Sequence, residues 1–342
     1  MFFSMDNIGK LLTVVIPTYN MEEFLPESLA SVTAACVPDT LEVIVVNDGS
    51  TDGSLQIARR YETMRPDIVR VIDKENGNYG SCVNVGLSAA TGRYFRILDA
   101  DDCFDTSALL ELLGKLKDCE AGLVVTLITE DIYRNGMKVD ERRYPFDTVR
   151  KDFLYRTDEI CLDDYVHHGE LRMHSMTYLT SVVRESGLCM PEGVSYTDNV
   201  YLFQPFAYTD SLIVYDICLY RYRIGREGQT MAPDRLKKNL RDISVVACHL
   251  LREFDGTRQD KRLKANQETL FQGCLGLLMG ILRMQKGVAP DCRELLDEII
   301  RGLNKYGISN REFRKKWYFR LWKKTESSRV LNVVLAINGL VK

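Results

Sequence analysis

The stretch Tyr94-Phe-Arg-Ile-Leu-Asp-Ala-Asp-Asp-Cys-Phe-Asp105 decides how the chain is read. Tyr94 to Leu98 is an apolar run that reads as a buried strand, and it ends abruptly in Asp99, Asp101 and Asp102. Three carboxylates crowded at a strand end repel one another unless something cationic sits among them. Oxygen-rich sites suit hard cations such as Mg²⁺ or Mn²⁺, which keep open positions for phosphate oxygens. In open α/β sheets the ligand crevice lies beyond the carboxyl ends of the strands. The cluster is therefore a candidate to hold a metal that holds a diphosphate. The competing reading makes these acids caps and dipole partners for the helix at Ser107-Ala-Leu-Leu-Glu-Leu-Leu113. Capping accounts for one or two of them, not for all.

Working outward, strand and helix signals alternate. Leu11 to Ile16, Leu41 to Val46 and Ile68 to Ile72 are β-branched runs, separated by helical patterns over Glu22–Ala35, Gly53–Met64 and Ser81–Ala90. This βα order predicts a Rossmann-like α/β fold, a mostly parallel, doubly wound sheet with right-handed crossovers. The strand ends carry Pro17-Thr18-Tyr19-Asn20, Asn47-Asp48-Gly49 and the Asp cluster, which should line one crevice. Tyr19 offers a ring for stacking on a base, and Asp48 can accept a base N–H. Each segment alone would be an ordinary turn.

Five motifs occur in order: Val15-Ile-Pro-Thr-Tyr-Asn20, Val45-Val-Asn-Asp-Gly-Ser-Thr-Asp52, Asn76-Gly-x-x-Gly80-x-x-x-Asn84-x-Gly86, Thr91-Gly-Arg-Tyr94 and Leu98-Asp-Ala-Asp-Asp102. Together they resemble family 2 of the GT-A glycosyltransferases over roughly residues 11–230. The resemblance implies that Tyr19 and Asp48 hold a nucleotide base, usually uracil, with Pro17, Thr18 and Asn20 around it. The family's D-x-D falls on Asp99, Ala100 and Asp101. Asp101 is then most directly on Mn²⁺ or Mg²⁺, Asp99 lies nearer the ribose, and Asp102 is a further candidate ligand. Asn76, Gly77 and Asn84 would shape the donor pocket, although an Asn side chain also serves to tie turns together.

Composition sets the outer limits. The chain has 342 residues, 27% charged and 45% hydrophobic, which is ordinary for a folded protein. A net charge of −3 gives no case for a nucleic-acid partner, but it conceals an asymmetry: residues 311–324 carry +6, leaving −9 elsewhere. None of the ten cysteines forms a C-x-x-C pair, so they read as reduced thiols without a zinc or redox motif. The N-terminus lacks a signal-like pattern, and no segment reaches the apolar length of a membrane span. A cytoplasmic location is expected.

The middle of the chain is less legible. Leu123 to Thr129 reads as a strand, and Asn135-Gly136 signals a hairpin. His167, His168 and His174 have no matching ligand motif; a surface or core-edge role is expected for each, with a place in the acceptor pocket as the alternative. In Pro191-Glu-Gly-Val-Ser-Tyr-Thr-Asp198, the resemblance places the catalytic base at Asp198. Thr197 stands where the family carries a Glu, which leaves the orientation of the base open; the alternative is a helix N-cap at Ser195 or Thr197. Arg221, Arg223 and Arg226 form a cationic run suited to a departing diphosphate. Strand alternation assigns one of Arg221 and Arg223 to solvent, and Arg226 is the preferred phosphate contact.

Residues 1–230 are thus expected to form the GT-A domain, with a donor half over about 1–120 and an acceptor half over about 121–230. Residues 231–342 form an α-helical region that ends in the basic aromatic helix 311–324. That helix suits either an anionic membrane surface or docking on the bundle. The expectation is an inverting, metal-dependent transferase moving a sugar from a nucleotide sugar, UDP-linked by the family pattern, to a hydroxyl. The acceptor would be a glycan or lipid-linked molecule of bacterial surface polysaccharide synthesis, and the enzyme peripheral on the inner face of the plasma membrane. A sugar-1-phosphate nucleotidyltransferase is the runner-up, though Pro17-Thr-Tyr-Asn20 replaces the Gly-rich basic loop it needs. A non-catalytic nucleotide-sugar-binding or scaffold protein is the third reading.

Overall fold

The structure, a computed structural model, describes residues 9–35, 37, 39–144, 149–162, 171–226, 236, 239–255, 261–285 and 288–308. His167, His168 and the basic aromatic segment 311–324 lie outside the described residues.

The first half follows the predicted alternation: β1 (Leu12–Thr18), α1 (Leu25–Thr33), β2 (Leu41–Asp48), α2 (Ser54–Met64), β3 (Val69–Lys74), α3 (Asn78–Ala89) and β4 (Tyr94–Ile97). Then come β5 (Cys103–Phe104), α4 (Thr106–Leu116), the hairpin β6 (Leu123–Arg134) and β7 (Met137–Tyr144), and β8 (Leu154–Arg156). A 3₁₀ turn (Met173–Ser175) leads into β9 (Met176–Leu179), α5 (Thr180–Glu185), α6 (Asp198–Phe203) and the long β10 (Ser211–Ile224). The predicted helical region contains α7 (Leu240–Asp255), α8 (Lys261–Arg283) and α9 (Pro290–Lys305).

The ten strands among the described residues join one mixed sheet in the order β3-β2-β1-β4-β9-β6-β10-β5, with β7 on β6 and β8 on β10. The block β3-β2-β1-β4 is parallel, as its βα connections require. Beyond it β9 runs antiparallel between β4 and β6, and β6 is parallel to β10. The hairpin turns at Asn135 (φ 52°) and Gly136 (φ 75°), the left-handed pair that a tight two-residue connection needs.

Successive side chains of a strand point to opposite faces, so β1 feeds two cores. Val14 and Ile16 pack with Leu25, Leu29, Leu109 and Leu112 of α1 and α4. Val15 packs on the other face with Phe95, Cys82 and Val83, in a core that continues through Phe203 of α6 to Phe271, Leu278 and Ile299 of the C-terminal helices. Phe203 lies 6.3 Å from the Phe271 ring and 6.4 Å from the Phe254 ring, so α6 is wedged against α7 and α8. This matters for the site, because α6 begins at Asp198. None of the described helices is long and apolar enough to cross a membrane.

Candidate active site

The parallel block ends all its strands on one side, and the polar turns gather there. Asn20, held at φ 53°, accepts from the Thr51 amide through Oδ1 (2.8 Å), while its own amide donates to Ser50 Oγ (3.1 Å). These bonds lock the turn after β1 to the turn after β2. Pro17 and Thr18 are buried behind them, and the Tyr19 ring is 47% exposed, free to take a stacking partner. Asp48 is 2% exposed, and its Oδ1 accepts from Lys74 Nζ (2.6 Å) and the Gly77 amide (2.9 Å). Asn76 Nδ2 donates to the Asp48 carbonyl (2.9 Å). The Asn76-Gly77 loop thus folds over the end of β2. Asn84 is occupied differently: its amide donates to the Met190 carbonyl (2.9 Å) and accepts from the Met190 amide (2.8 Å). That pair straps α3 to the segment that leads to Asp198.

The Asp cluster sits where the sequence places it, but each acid has its own environment. Asp99 Oδ1 accepts from the Tyr79 hydroxyl (2.7 Å), and its Oδ2 lies 3.4 Å from His174 Nε2. Asp102 accepts from the Tyr220 hydroxyl (2.8 Å) on one oxygen and from the Arg223 amide (2.7 Å) on the other. The Tyr220 hydroxyl also accepts from the Asp99 amide (3.1 Å), so one phenol bridges both ends of the Asp99–Asp102 turn. Asp101 is held by Arg226, whose Nε donates to Oδ2 at 2.5 Å. Burial, with Asp101 and Asp99 alongside, pushes the Asp102 carboxyl well above the ordinary range. Burial also raises Asp101, with Asp99 adding to the rise and Arg226 opposing it. The acids are thus crowded enough to favour a cation.

A cation fits the residues present. Asp99, Asp102 and His174 each offer one ligand atom, all within 4.8 Å of one another. Two carboxylates and an imidazole suit a divalent ion of the Mn²⁺ type. His174 therefore does not take the surface or core-edge role expected for it: it is an inward-facing member of the site, between the rings of Tyr220 (4.8 Å) and Tyr222 (4.7 Å). A lone histidine in an unreadable stretch carries no periodic signal, so only the tertiary fold reveals it. Tyr220 and Tyr222 were findable, because residues two apart on a strand share a face. The same rule corrects the assignment of Arg221 or Arg223 to solvent. Arg221 forms a two-pronged pair with Asp131 (2.8 and 3.0 Å), and Arg223 lies over the Tyr133 ring (4.4 Å) while its Nε donates to the Asp101 carbonyl (3.1 Å).

Asp198 opens α6, and Asn199 Nδ2 donates to its Oδ1 at 3.2 Å. Burial raises its carboxyl above the usual range, Asp99 adds to this, and His174 works in the opposite direction. Asp198 is thus in electrostatic contact with the Asp99–His174 end of the cluster. Thr197 does not cap the helix, and its buried hydroxyl has no hydrogen-bond partner in the structure. The Ser195 amide instead donates to Asp242 of α7 (3.0 Å), which fixes the approach to Asp198 from the helical side.

The chain has known relatives. Residues 13–176 match the model of Glycosyl transferase family 2. The chain carries a family 2 glycosyltransferase domain. An uncharacterized glycosyltransferase of Haemophilus influenzae is 25% identical over 214 residues, which are 63% of this chain and 65% of that protein. Glycosyltransferase GlyA of Streptococcus pneumoniae is 32% identical over 114 residues, 33% of this chain and 16% of GlyA. This chain therefore spans less than two thirds of either relative. A crystal structure of Staphylococcus aureus TarS 1-349 in complex with UDP-GlcNAc superposes with a TM-score of 0.66 at 18% identity, covering 95% of this chain and 89% of that one. At that identity the likeness concerns the fold, and it extends through the C-terminal helices, beyond the stretch that the family model covers.

Proposed function

We propose that this protein is an inverting, metal-dependent glycosyltransferase that takes a sugar from a nucleotide sugar to an acceptor hydroxyl. The observation that carries the proposal is the convergence of Asp99, Asp102 and His174 within 4.8 Å at the strand ends, electrostatically coupled to Asp198. UDP is the nucleotide we propose, because the fold is that of a transferase crystallised with UDP-GlcNAc and because the turn that carries Tyr19 is locked to the turn that follows Asp48. The acceptor class we propose is a glycan or lipid-linked molecule of bacterial surface polysaccharide synthesis, reached on the cytoplasmic side of the membrane.

In this reading Tyr19 stacks on the base, Asp48 accepts its N–H, and Asp99, Asp102 and His174, with Asp101 beside them, would hold Mn²⁺ or Mg²⁺. The ion supplies charge neutralisation at the diphosphate. Arg226, beside Asp101, would offer its guanidinium to the phosphate oxygens and stabilise the charge that builds on the leaving nucleotide. Asp198 takes the proton from the acceptor oxygen as that oxygen attacks the anomeric carbon from the face opposite the nucleotide. Its raised carboxyl basicity serves that task. Residues 311–324 would bring the enzyme to an anionic surface; calorimetry aside, that is tested by sedimentation with anionic vesicles.

The primary test is calorimetric binding of UDP, GDP, CDP and TDP, with Mn²⁺ and with EDTA, to wild type and Asp101→Ala. We expect UDP-selective binding that needs the metal and weakens in the variant. A folded protein that binds no nucleotide in Mn²⁺ refutes the transferase reading.

A further inference from the structure

Arg96 is the one charged residue in the strand that leads to the Asp cluster, and it is fully buried at 0% exposure. A guanidinium removed from water costs several kcal/mol unless it is paired, typically with a carboxylate. Here the partners are neutral. Nη1 donates to Thr177 Oγ1 (2.6 Å) and Thr126 Oγ1 (3.1 Å), Nη2 donates to the His174 carbonyl, and Nε has no partner. The guanidinium carbon lies 5.3 Å from the centre of the Phe104 ring. Burial pulls its pKa down to about 10, so it remains charged at neutral pH.

Its three bonds have one geometric consequence. Thr177 is on β9, Thr126 is on β6, and His174 lies in the 3₁₀ turn that precedes β9. A planar fork reaching residues 174 and 177 clamps the turn and the start of β9 to β4, the same strand that delivers Asp99. Thr126 Oγ1 adds a contact of its own to the Ser175 carbonyl (3.4 Å). The turn's other features do not set the imidazole: Ser175 Oγ is used locally, on the Arg172 carbonyl (2.7 Å). The imidazole Nδ1 has no partner, so no side-chain hydrogen bond at that nitrogen orients the ring. Its place beside Asp99 comes from the backbone of residue 174 and from packing between Tyr220 and Tyr222.

We propose that Arg96 is a positioning residue, which pins the His174 backbone to β4 so that the imidazole faces Asp99 and completes the cation site. This inference rests on the metal-dependent reading above. It adds that the site's integrity depends on a residue that touches neither metal nor substrate. A buried arginine serving only the core would stabilise the fold without any particular effect at His174.

The experiment compares UDP affinity in Mn²⁺ with UDP affinity in EDTA, by calorimetry, for wild type, Arg96→Met, Arg96→Lys, His174→Ala and the double variant Arg96→Met/His174→Ala. The ratio of the two affinities measures the metal's contribution alone. Methionine fills much of the arginine's volume without a buried charge, so Arg96→Met is expected to remain folded. Lysine keeps the charge but lacks the fork that reaches His174 and Thr177 together. We expect Arg96→Met and His174→Ala each to lower the ratio at least tenfold, with UDP affinity in EDTA within twofold of wild type. Arg96→Lys should fall between, and the double variant no lower than the worse single one, because both remove the same ligand. An Arg96→Met or Arg96→Lys protein that keeps the wild-type ratio while His174→Ala loses it overturns the inference alone, as do losses that multiply in the double variant. Should Arg96→Met fail to fold, Arg96→Lys with His174→Ala decides in the same way. A wild type whose UDP affinity is indifferent to Mn²⁺ overturns the metal reading and this inference with it.

Discussion

Gly80 is where the fold of the donor half meets the loop that carries the candidate base, and replacing it with alanine tests that junction. A Cβ at Gly80 would lie 2.4 Å from the Pro191 carbonyl oxygen and 3.0 Å from Met190 Cβ. Comfortable contact begins near 3.4–3.5 Å, so α3 and the 190–191 segment must part by about 1 Å. Three bonds resist that movement: the two between Asn84 and Met190, and the one from the Gly193 amide to the Gly77 carbonyl (2.9 Å). Overpacking of this kind costs about 1–3 kcal/mol. Against it stands up to about 1 kcal/mol gained from replacing a helical glycine with alanine. The expected result of urea denaturation followed by circular dichroism is a net loss of up to about 2 kcal/mol. Gly114, exposed on α4 with nothing within 4 Å of its added Cβ, is the control. Gly114→Ala should stabilise by about 0.5–1 kcal/mol. Because the displaced segment leads directly to Asp198, a shift near 1 Å should also lower transfer up to about 10²-fold. A Gly80→Ala protein as stable as Gly114→Ala would show that α3 and the base loop are not in the contact described.

Three further outcomes are expected. Asp198→Asn should lower transfer by about 10²–10⁴-fold with UDP affinity nearly unchanged, and in wild type the acid limb of the pH–rate profile should lie above the ordinary carboxylate range, since the base must be ionised and burial raises it; wild-type turnover by the variant removes Asp198 from the mechanism. Tyr19→Ala should weaken UDP binding by about 1–3 kcal/mol if the exposed ring stacks on the base, and equal calorimetric affinities would exclude the stacking. Asn84→Ala should cost about 1–3 kcal/mol in thermal or urea unfolding by stripping both backbone groups of Met190 of their partner, with UDP affinity in EDTA within twofold; a large affinity loss without a stability loss would mark Asn84 as a donor contact instead.

Much of this molecule is local, and local structure is legible. The β-branched runs, the turn residues at their ends and the Asn135-Gly136 hairpin follow from side-chain shape and backbone preference within a few residues. The alternation of β1 across two cores follows from the strand's pleat, and the gathering of Asp48 and Asp99 at one sheet end from chain order and the handedness of βαβ crossovers. What the linear chain could not reveal is what meets those acids. His174 and Tyr220 arrive from distant segments, and they touch Asp99 and Asp102 only because β9 and β10 join the same sheet. Arg226 pairs with Asp101, and Asn84 is spent on Met190 rather than left open, for the same reason. Strand pairing and burial bring together groups that are far apart along the chain, and hydrogen bonds and charges act only over a few ångströms once they are there. The identity of the acids belongs to the sequence; their partners, and the basicity that burial confers on Asp198, were decided by tertiary packing.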